Sequence, residues 1–158
     1  MRISEGIGDE DIPGLEKILA STGYFYDFEI RTALEIAVQT VSQGMDASGY
    51  FWIRITGGEQ LIGFACYGKN DFSVHSWELY WIAVHQDFRN HSYGRALLQA
   101  AEERIRQKGG KILWIETSGR PLYKPTEEFY KKNGYRLEVS LQDFYGPGDP
   151  KQIYARRL

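Results

Sequence analysis

Residues 77–109 read WELYWIAVHQDFRNHSYGRALLQAAEERIRQKG, and this run decides the fold class. Its first eight residues alternate, with Glu78, Tyr80, Ile82 and Val84 on one face of a strand and Trp77, Leu79, Trp81 and Ala83 on the other. The polar stretch His85–Ser92 breaks that period. From about Tyr93 to Lys108 the spacing becomes helical, with Leu97, Leu98, Ala101 and Ile105 turned inward and Gly109-Gly110 as the stop. A further apolar strand at Lys111–Thr117 completes a strand–helix–strand step, which predicts one parallel pairing beside the long helix.

Toward the N-terminus, Ile12, Leu15, Ile18 and Leu19 predict a helix with Asp11 as its cap and Pro13 in the first turn. Ile30, Ala33, Leu34, Ala37, Val38 and Val41 mark a second helix that closes at Gly44. Tyr50–Thr56 and Gln60–Tyr67, joined at Gly57-Gly58, predict a hairpin. Toward the C-terminus, a loop with Pro121 and Pro125 leads into a short helix, Thr126–Asn133. Its acids come first and its bases last, with Gly134 as terminator, a polarity that complements the helix dipole. Tyr135–Tyr145 and Gln152–Leu158 predict two closing strands, with a turn-rich connector at Gly146–Pro150. The whole reads as one α+β domain over residues 1–158, with a mixed, mostly antiparallel sheet and about four helices.

Composition narrows the function classes. The chain has 158 residues, 19 Lys and Arg against 21 Asp and Glu, and a net charge of −2. That balance gives no global electrostatic case for nucleic acid or an anionic membrane as partner. The start lacks a basic-then-apolar leader and no apolar run approaches the ~20 residues of a membrane span, so a cytoplasmic location is expected. One cysteine, Cys66, excludes an intramolecular disulfide, and its apolar neighbours predict a buried, inert thiol. His75, His85 and His91 show no metal-ligand spacing, so no metal is expected. Aromatic residues make up 15% of the chain, generous enough to supply both core and binding surfaces.

The loop before the long helix is the best candidate for chemistry. Backbone N–H groups converge at a helix start, and with the helix dipole behind them they suit a phosphate. Arg89 and Arg95 add charge, and Gly94 allows close approach. The spacing is not Gly-x-Gly-x-x-Gly and no Lys-Ser/Thr pair follows the glycine, which argues against a dinucleotide fold and a nucleotide-triphosphate loop. An ordinary strand-to-helix connection, capped by Asn90 or Ser92, is the alternative these residues leave open.

Two segments together resemble the GNAT superfamily of N-acetyltransferases. Residues 81–98, WIAVHQDFRNHSYGRALL, are similar to the family's acetyl-CoA motif, and residues 128–135, EFYKKNGY, to its Phe-Tyr-x-x-x-Gly-Phe/Tyr signature. The preceding helices and hairpin also follow the family's order, so the resemblance covers essentially the whole chain. Ser92 stands where the family's motif carries its first glycine. Residues 118–126 and 143–149 look like loops of a bacterial branch of the family.

The resemblance implies the GNAT fold and transfer of an acetyl group from acetyl-CoA to an amine by direct attack. The pyrophosphate would rest on Arg89, Asn90, His91, Ser92, Tyr93, Gly94, Arg95 and Ala96. Pantetheine would pair with the strand edge at Ile82, Ala83 and Val84, where the family's adjacent parallel strands splay apart. Tyr130 matches the family's general acid beside the leaving sulfur, and Glu78 the position of a general-base glutamate. Glu116 is a competing base or amine anchor. Tyr24, Tyr26 and Tyr80 are candidate acceptor-pocket walls, and Thr117, Ser118, Arg120 and Tyr123 candidate channel residues, with loop stiffening by the prolines as the equal alternative for that segment. Read without the family, Tyr130 would be a core tyrosine, Glu78 a solvated strand-face carboxylate and the Tyr24–Tyr26 cluster core packing. A small-molecule amine is the expected acceptor. Acetylation of a protein amine and a non-catalytic acyl-CoA-binding domain are the alternatives, and a homodimer is common in the family.

Overall fold

The computed structural model describes residues 1–158. It has seven strands: β1 (Arg2–Glu5), β2 (Phe51–Gly57), β3 (Gln60–Lys69), β4 (Ser76–Val84), β5 (Ile112–Ser118), β6 (Arg136–Gly146) and β7 (Asp149–Arg157). Five α-helices accompany them: α1 (Ile12–Thr22), α2 (Asp27–Gln43), α3 (Met45–Ser48), α4 (Tyr93–Gln107) and α5 (Lys124–Lys132). The strands form one mixed sheet in the order β1-β2-β3-β4-β5-β7-β6. The chain divides into two compact units, Met1–Gly68 with Tyr80–Arg104, and Lys69–Leu79 with Ile105–Leu158.

In the first unit β1, β2 and β3 pair antiparallel, with Arg2 opposite Thr56 and Phe51 opposite Tyr67. The sequence reading missed β1, because four residues at a chain end carry too little alternation to register; pairing with the free side of β2 makes them a strand. It also missed α3, a single turn between Gly44 and Gly49, so the helices number five rather than about four. The core gathers Leu15, Ile18 and Leu19 from α1, Ala33 and Ala37 from α2, and Trp52 and Phe64 from the hairpin. Trp52 is fully buried, its Nε1 donates to Thr40 Oγ1 at 3.1 Å, and its ring lies 5.7 Å from that of Phe64. Cys66 is buried in the same core, where desolvation pushes its thiol pKa up.

Asp11 stands at the start of α1 but does not cap it. Its buried carboxylate accepts from the Gly8 N–H at 2.8 Å and pairs with Arg54 on β2, so it ties the helix start to the sheet instead. Pro13 lies in the first turn as expected, and Gly23, at φ 71°, ends the helix.

In the second unit the start of β4 runs parallel to β5, with Trp77 opposite Leu113 and Leu79 opposite Ile115. The β7 strand pairs antiparallel with β5 and with β6. The expected five-residue connector between the last two strands is tighter than its composition implied. The β6 strand reaches Gly146 and β7 begins at Asp149, leaving only Pro147-Gly148, with Gly148 at φ 72°. Proline fixes the first turn position and glycine supplies the positive φ of the second. The edge strand β6 is exposed along most of its length, and register shifts at Leu137/Val139 and Leu141/Gly146 interrupt its ladder, a device that blunts an open edge. No helix is long and apolar enough to cross a membrane.

Candidate active site

In the first unit β4 ends with Ala83 buried and Ile82 and Val84 half-buried. Gly63 on β3 lets this end close in: a Cβ there would stand 2.9 Å from the Ala83 carbonyl oxygen and 3.2 Å from Leu97 Cδ1. His85 continues the strand, its N–H donating to Ile62 O at 2.9 Å. The loop then makes one 3-10 turn, Gln86–Phe88, and docks on the end of α1. Gln86 N–H donates to Ser21 Oγ at 3.2 Å, and Arg89 Nη2 donates to Thr22 O at 3.1 Å. The Arg89 guanidinium also lies 5.8 Å from the centre of the Tyr24 ring. Arg89, expected as a phosphate ligand, is here a strut that joins the loop to Thr22 and Tyr24.

Asn90 and Ser92 both adopt the left-handed conformation, at φ 65° and 61°. His91 lies between them, its Nδ1 2.8 Å from Arg89 O, and its ring stacks on Tyr93 at 5.6 Å. A carbonyl at that nitrogen calls for Nδ1–H as donor, leaving Nε2 as the other polar atom. The next residues open α4, where Ala96 N–H makes a helical bond to Ser92 O. The N–H groups of Tyr93, Gly94 and Arg95 precede any intrahelical acceptor and carry the positive end of the helix dipole. This donor set fits a diphosphate. Ser92 keeps the conformation that a glycine would adopt there without strain, at a cost of about 1 kcal/mol. Ser92→Gly is accordingly expected to raise stability by about 1 kcal/mol, and Tm by about 2–4 °C in a thermal melt.

The aromatic candidates of this unit stand on different elements. Tyr26 is half-exposed at the start of α2 and stacks on Phe28 at 5.5 Å. Tyr80, 37% exposed, packs edge-on to Tyr50 at 5.6 Å and covers Gly68, where a Cβ would meet its ring at 2.9 Å. Only a residue without a side chain lets that ring lie so close to the strand.

In the second unit Glu78 is half-buried, and its Oε1 accepts from Asn70 Nδ2 at 3.2 Å. Glu116, toward the C-terminal end of β5 and two residues beyond the Glu78 partner Trp114, is paired with Lys151 on β7 at 2.6 Å. The short helix α5 explains why its sequence signature ends in glycine and an aromatic. Gly134, at φ 85°, lets its own N–H bond to Lys131 O at 3.1 Å and that of Tyr135 bond to Tyr130 O at 3.0 Å. This paired helix stop folds Tyr135 under Tyr130, with ring centres 5.8 Å apart, while Tyr154 on β7 lies 5.9 Å away. Tyr130 is buried, and desolvation first, then Tyr154 and Tyr123, push its phenol well above the usual range. At neutral pH it is protonated and remains a donor. Ser118, Arg120 and Tyr123 line one small cavity together with Lys124, Glu127 and Tyr154. Sequence reasoning missed Asn70, Lys151 and Tyr154, none of which lies in a recognisable motif; register pairing and a turn bring them to the site.

Burial also raises the pKa of Tyr67, helped by the nearby Glu5 carboxylate. A phenol whose folded pKa is raised stabilises the fold fully below the ordinary value near 10 and loses that contribution as pH rises past it. Tyr67 and Tyr130 together are expected to make unfolding free energy fall above about pH 10, by up to about 1.4 kcal/mol per pH unit for each. Urea melts read at a series of alkaline pH values check this.

The sequence profile of the acetyltransferase (GNAT) family matches residues 17–135. The chain belongs to this family. It is an acetyltransferase, and the family's reaction is acyl transfer from coenzyme A to an amine. A seven-stranded mixed sheet with five helices is the GNAT fold. A GNAT-family protein from Desulfovibrio desulfuricans is 33% identical, over 99% of this chain and 98% of its own, with a TM-score of 0.96. A ribosomal-protein-alanine N-acetyltransferase from Brucella melitensis shares the fold at 20% identity, covering 100% of both chains with a TM-score of 0.80. An aminoglycoside 6'-N-acetyltransferase in complex with coenzyme A does so at 20% identity and a TM-score of 0.77, over 99% of this chain and 97% of its own. No curated protein matches.

Proposed function

We propose that residues 1–158 act as one N-acetyltransferase domain that moves an acetyl group from acetyl-CoA to the primary amine of a small-molecule acceptor. The observation that carries this reading is the left-handed turn through Asn90 and Ser92, which aims the first N–H groups of α4 outward as a diphosphate cradle. Arg95 adds charge there, and the backbone of Ile82–Val84 binds the pantetheine arm. Exposed Tyr26 and Tyr80 give the acceptor side aromatic walls, a surface suited to a compact amine.

The chemistry has two proton tasks. An alkyl ammonium near pKa ~10.4 must lose a proton before its nitrogen can attack. Glu78 takes it, directly or through a water. Glu116 is less suited, because its carboxylate is already paired with Lys151. The nitrogen attacks the thioester carbonyl, the C–N bond forms, and a backbone N–H of Ile82–Val84 stabilises the oxyanion, a type of contact worth about 3 kcal/mol. As the C–S bond breaks, Tyr130 gives its proton to the sulfur. Nitrogen loses two protons in all, one to Glu78 before attack and one to solvent as the tetrahedral intermediate collapses; one proton arrives at sulfur, so one is released overall and exchange with water resets both residues.

Acetyl-CoA titrated in a thermal-shift experiment is expected to raise Tm, and thiol release with a panel of amino acids, polyamines and aminoglycosides is expected to identify the acceptor. No stabilisation at millimolar acetyl-CoA would overturn the reading. Stabilisation with silence across the panel would favour the binding-only alternative or acetylation of a protein amine.

A further inference from the structure

We propose that Asn70 is a positioning residue for the general base, holding the Glu78 carboxylate in the orientation that receives the acceptor's proton. This rests on Glu78 being the base. Asn70 closes the turn that leads into β4. Its backbone N–H donates to Ser76 O at 3.0 Å, and its carbonyl accepts from Ser73 N–H at 3.1 Å. The side chain has only one way round: Oδ1 accepts from the Phe72 N–H at 3.0 Å, so the amide nitrogen faces Glu78 Oε1, at 3.2 Å. Ser73 Oγ fastens the same turn by accepting from the Ser76 N–H at 3.0 Å.

The consequence for Glu78 is geometric. A glutamate on a strand face samples several rotamers, and freezing one removes an entropic penalty from the reactive arrangement. Asn70 engages one carboxylate oxygen and leaves Oε2 to accept a proton. Because the donor is a neutral amide, it orients the base without neutralising it, unlike the lysine on Glu116. The register partner of Glu78 on β5 is Trp114, which is uncharged, and the turn's other titratable side chains are Lys69, Asp71 and His75.

Two substitutions separate this role from a structural one. Asn70→Asp keeps an oxygen for the Phe72 N–H but sets a second carboxylate against Glu78. Asn70→Ser keeps a turn acceptor but is too short to reach Glu78. With the most active amine of the panel, both are expected to lower kcat about tenfold or more and to leave KM for acetyl-CoA within about twofold. In Asn70→Asp the acid limb of the kcat–pH profile, and the Glu78 carboxyl titration followed by 13C NMR, should move to higher pH. Ser73→Ala, which loosens the same turn without touching Glu78, should leave kcat and both titrations unmoved. Wild-type kcat and titration in Asn70→Asp, with Glu78→Gln inactive, would overturn the role of Asn70 alone. Full activity in Glu78→Gln would overturn the base assignment and this inference with it.

Discussion

Tyr130→Phe is expected to lower kcat about 10²–10⁴-fold, the range typical for loss of a positioned proton donor. KM for acetyl-CoA should stay within about twofold, because in the proposed mechanism the hydroxyl acts as the sulfur leaves and not in binding the diphosphate. The substitution is structurally mild. The ring keeps its contacts with Tyr135 at 5.8 Å and Tyr154 at 5.9 Å, and the backbone carbonyl still accepts from Tyr135. A thermal melt should therefore barely move while steady-state turnover collapses. Wild-type turnover in Tyr130→Phe would remove the phenol from the mechanism.

The largest expected effect on stability comes from Trp52→Ala, at about 3–5 kcal/mol. The indole is completely enclosed, packs on Phe64 and carries the one side-chain hydrogen bond from β2 to Thr40 on α2. Truncation opens a cavity and leaves the buried Thr40 hydroxyl without its indole donor. Against a total of about 5–15 kcal/mol for a domain, that is a large share. Urea unfolding should show a lowered midpoint at nearly unchanged slope. Thr40→Val, which removes the hydroxyl that accepts from the indole and donates to Ile36 O at 2.8 Å, should cost about 1–3 kcal/mol, since it leaves the buried indole N–H without an acceptor.

The fold was largely legible because its determining signals are periodic. The alternation at Trp77–Val84 and the stripe through Leu97, Leu98, Ala101 and Ile105 each extend over several turns or pleats, and they place the parallel step between β4 and β5. What escaped was short or set by partners. The β1 strand exists because β2 offers it a free ladder. Asp11 looked like a cap, yet the arrival of Arg54 from the sheet redirects its carboxylate. The architecture of the candidate site was legible where a motif also fixes backbone geometry, as in the Gly134 stop that tucks Tyr135 under Tyr130. It was not legible for Asn70 or Lys151, whose placement beside Glu78 and Glu116 depends on a turn closure and a strand register that no local spacing encodes. Ser92 was noticed as a departure from glycine, but only the backbone angle gives it physical meaning.

The solitary, enclosed Cys66 has a practical consequence for anyone following this reaction by liberated thiol. The folded enzyme contributes no reactive sulfhydryl of its own, so every equivalent that colours a disulfide reagent belongs to released coenzyme A. Unfolding, in contrast, exposes a single equivalent per chain. The same reagent, mixed with enzyme alone, thus becomes a clock for opening of the first unit's core, and its slowing by acetyl-CoA would report binding without any label.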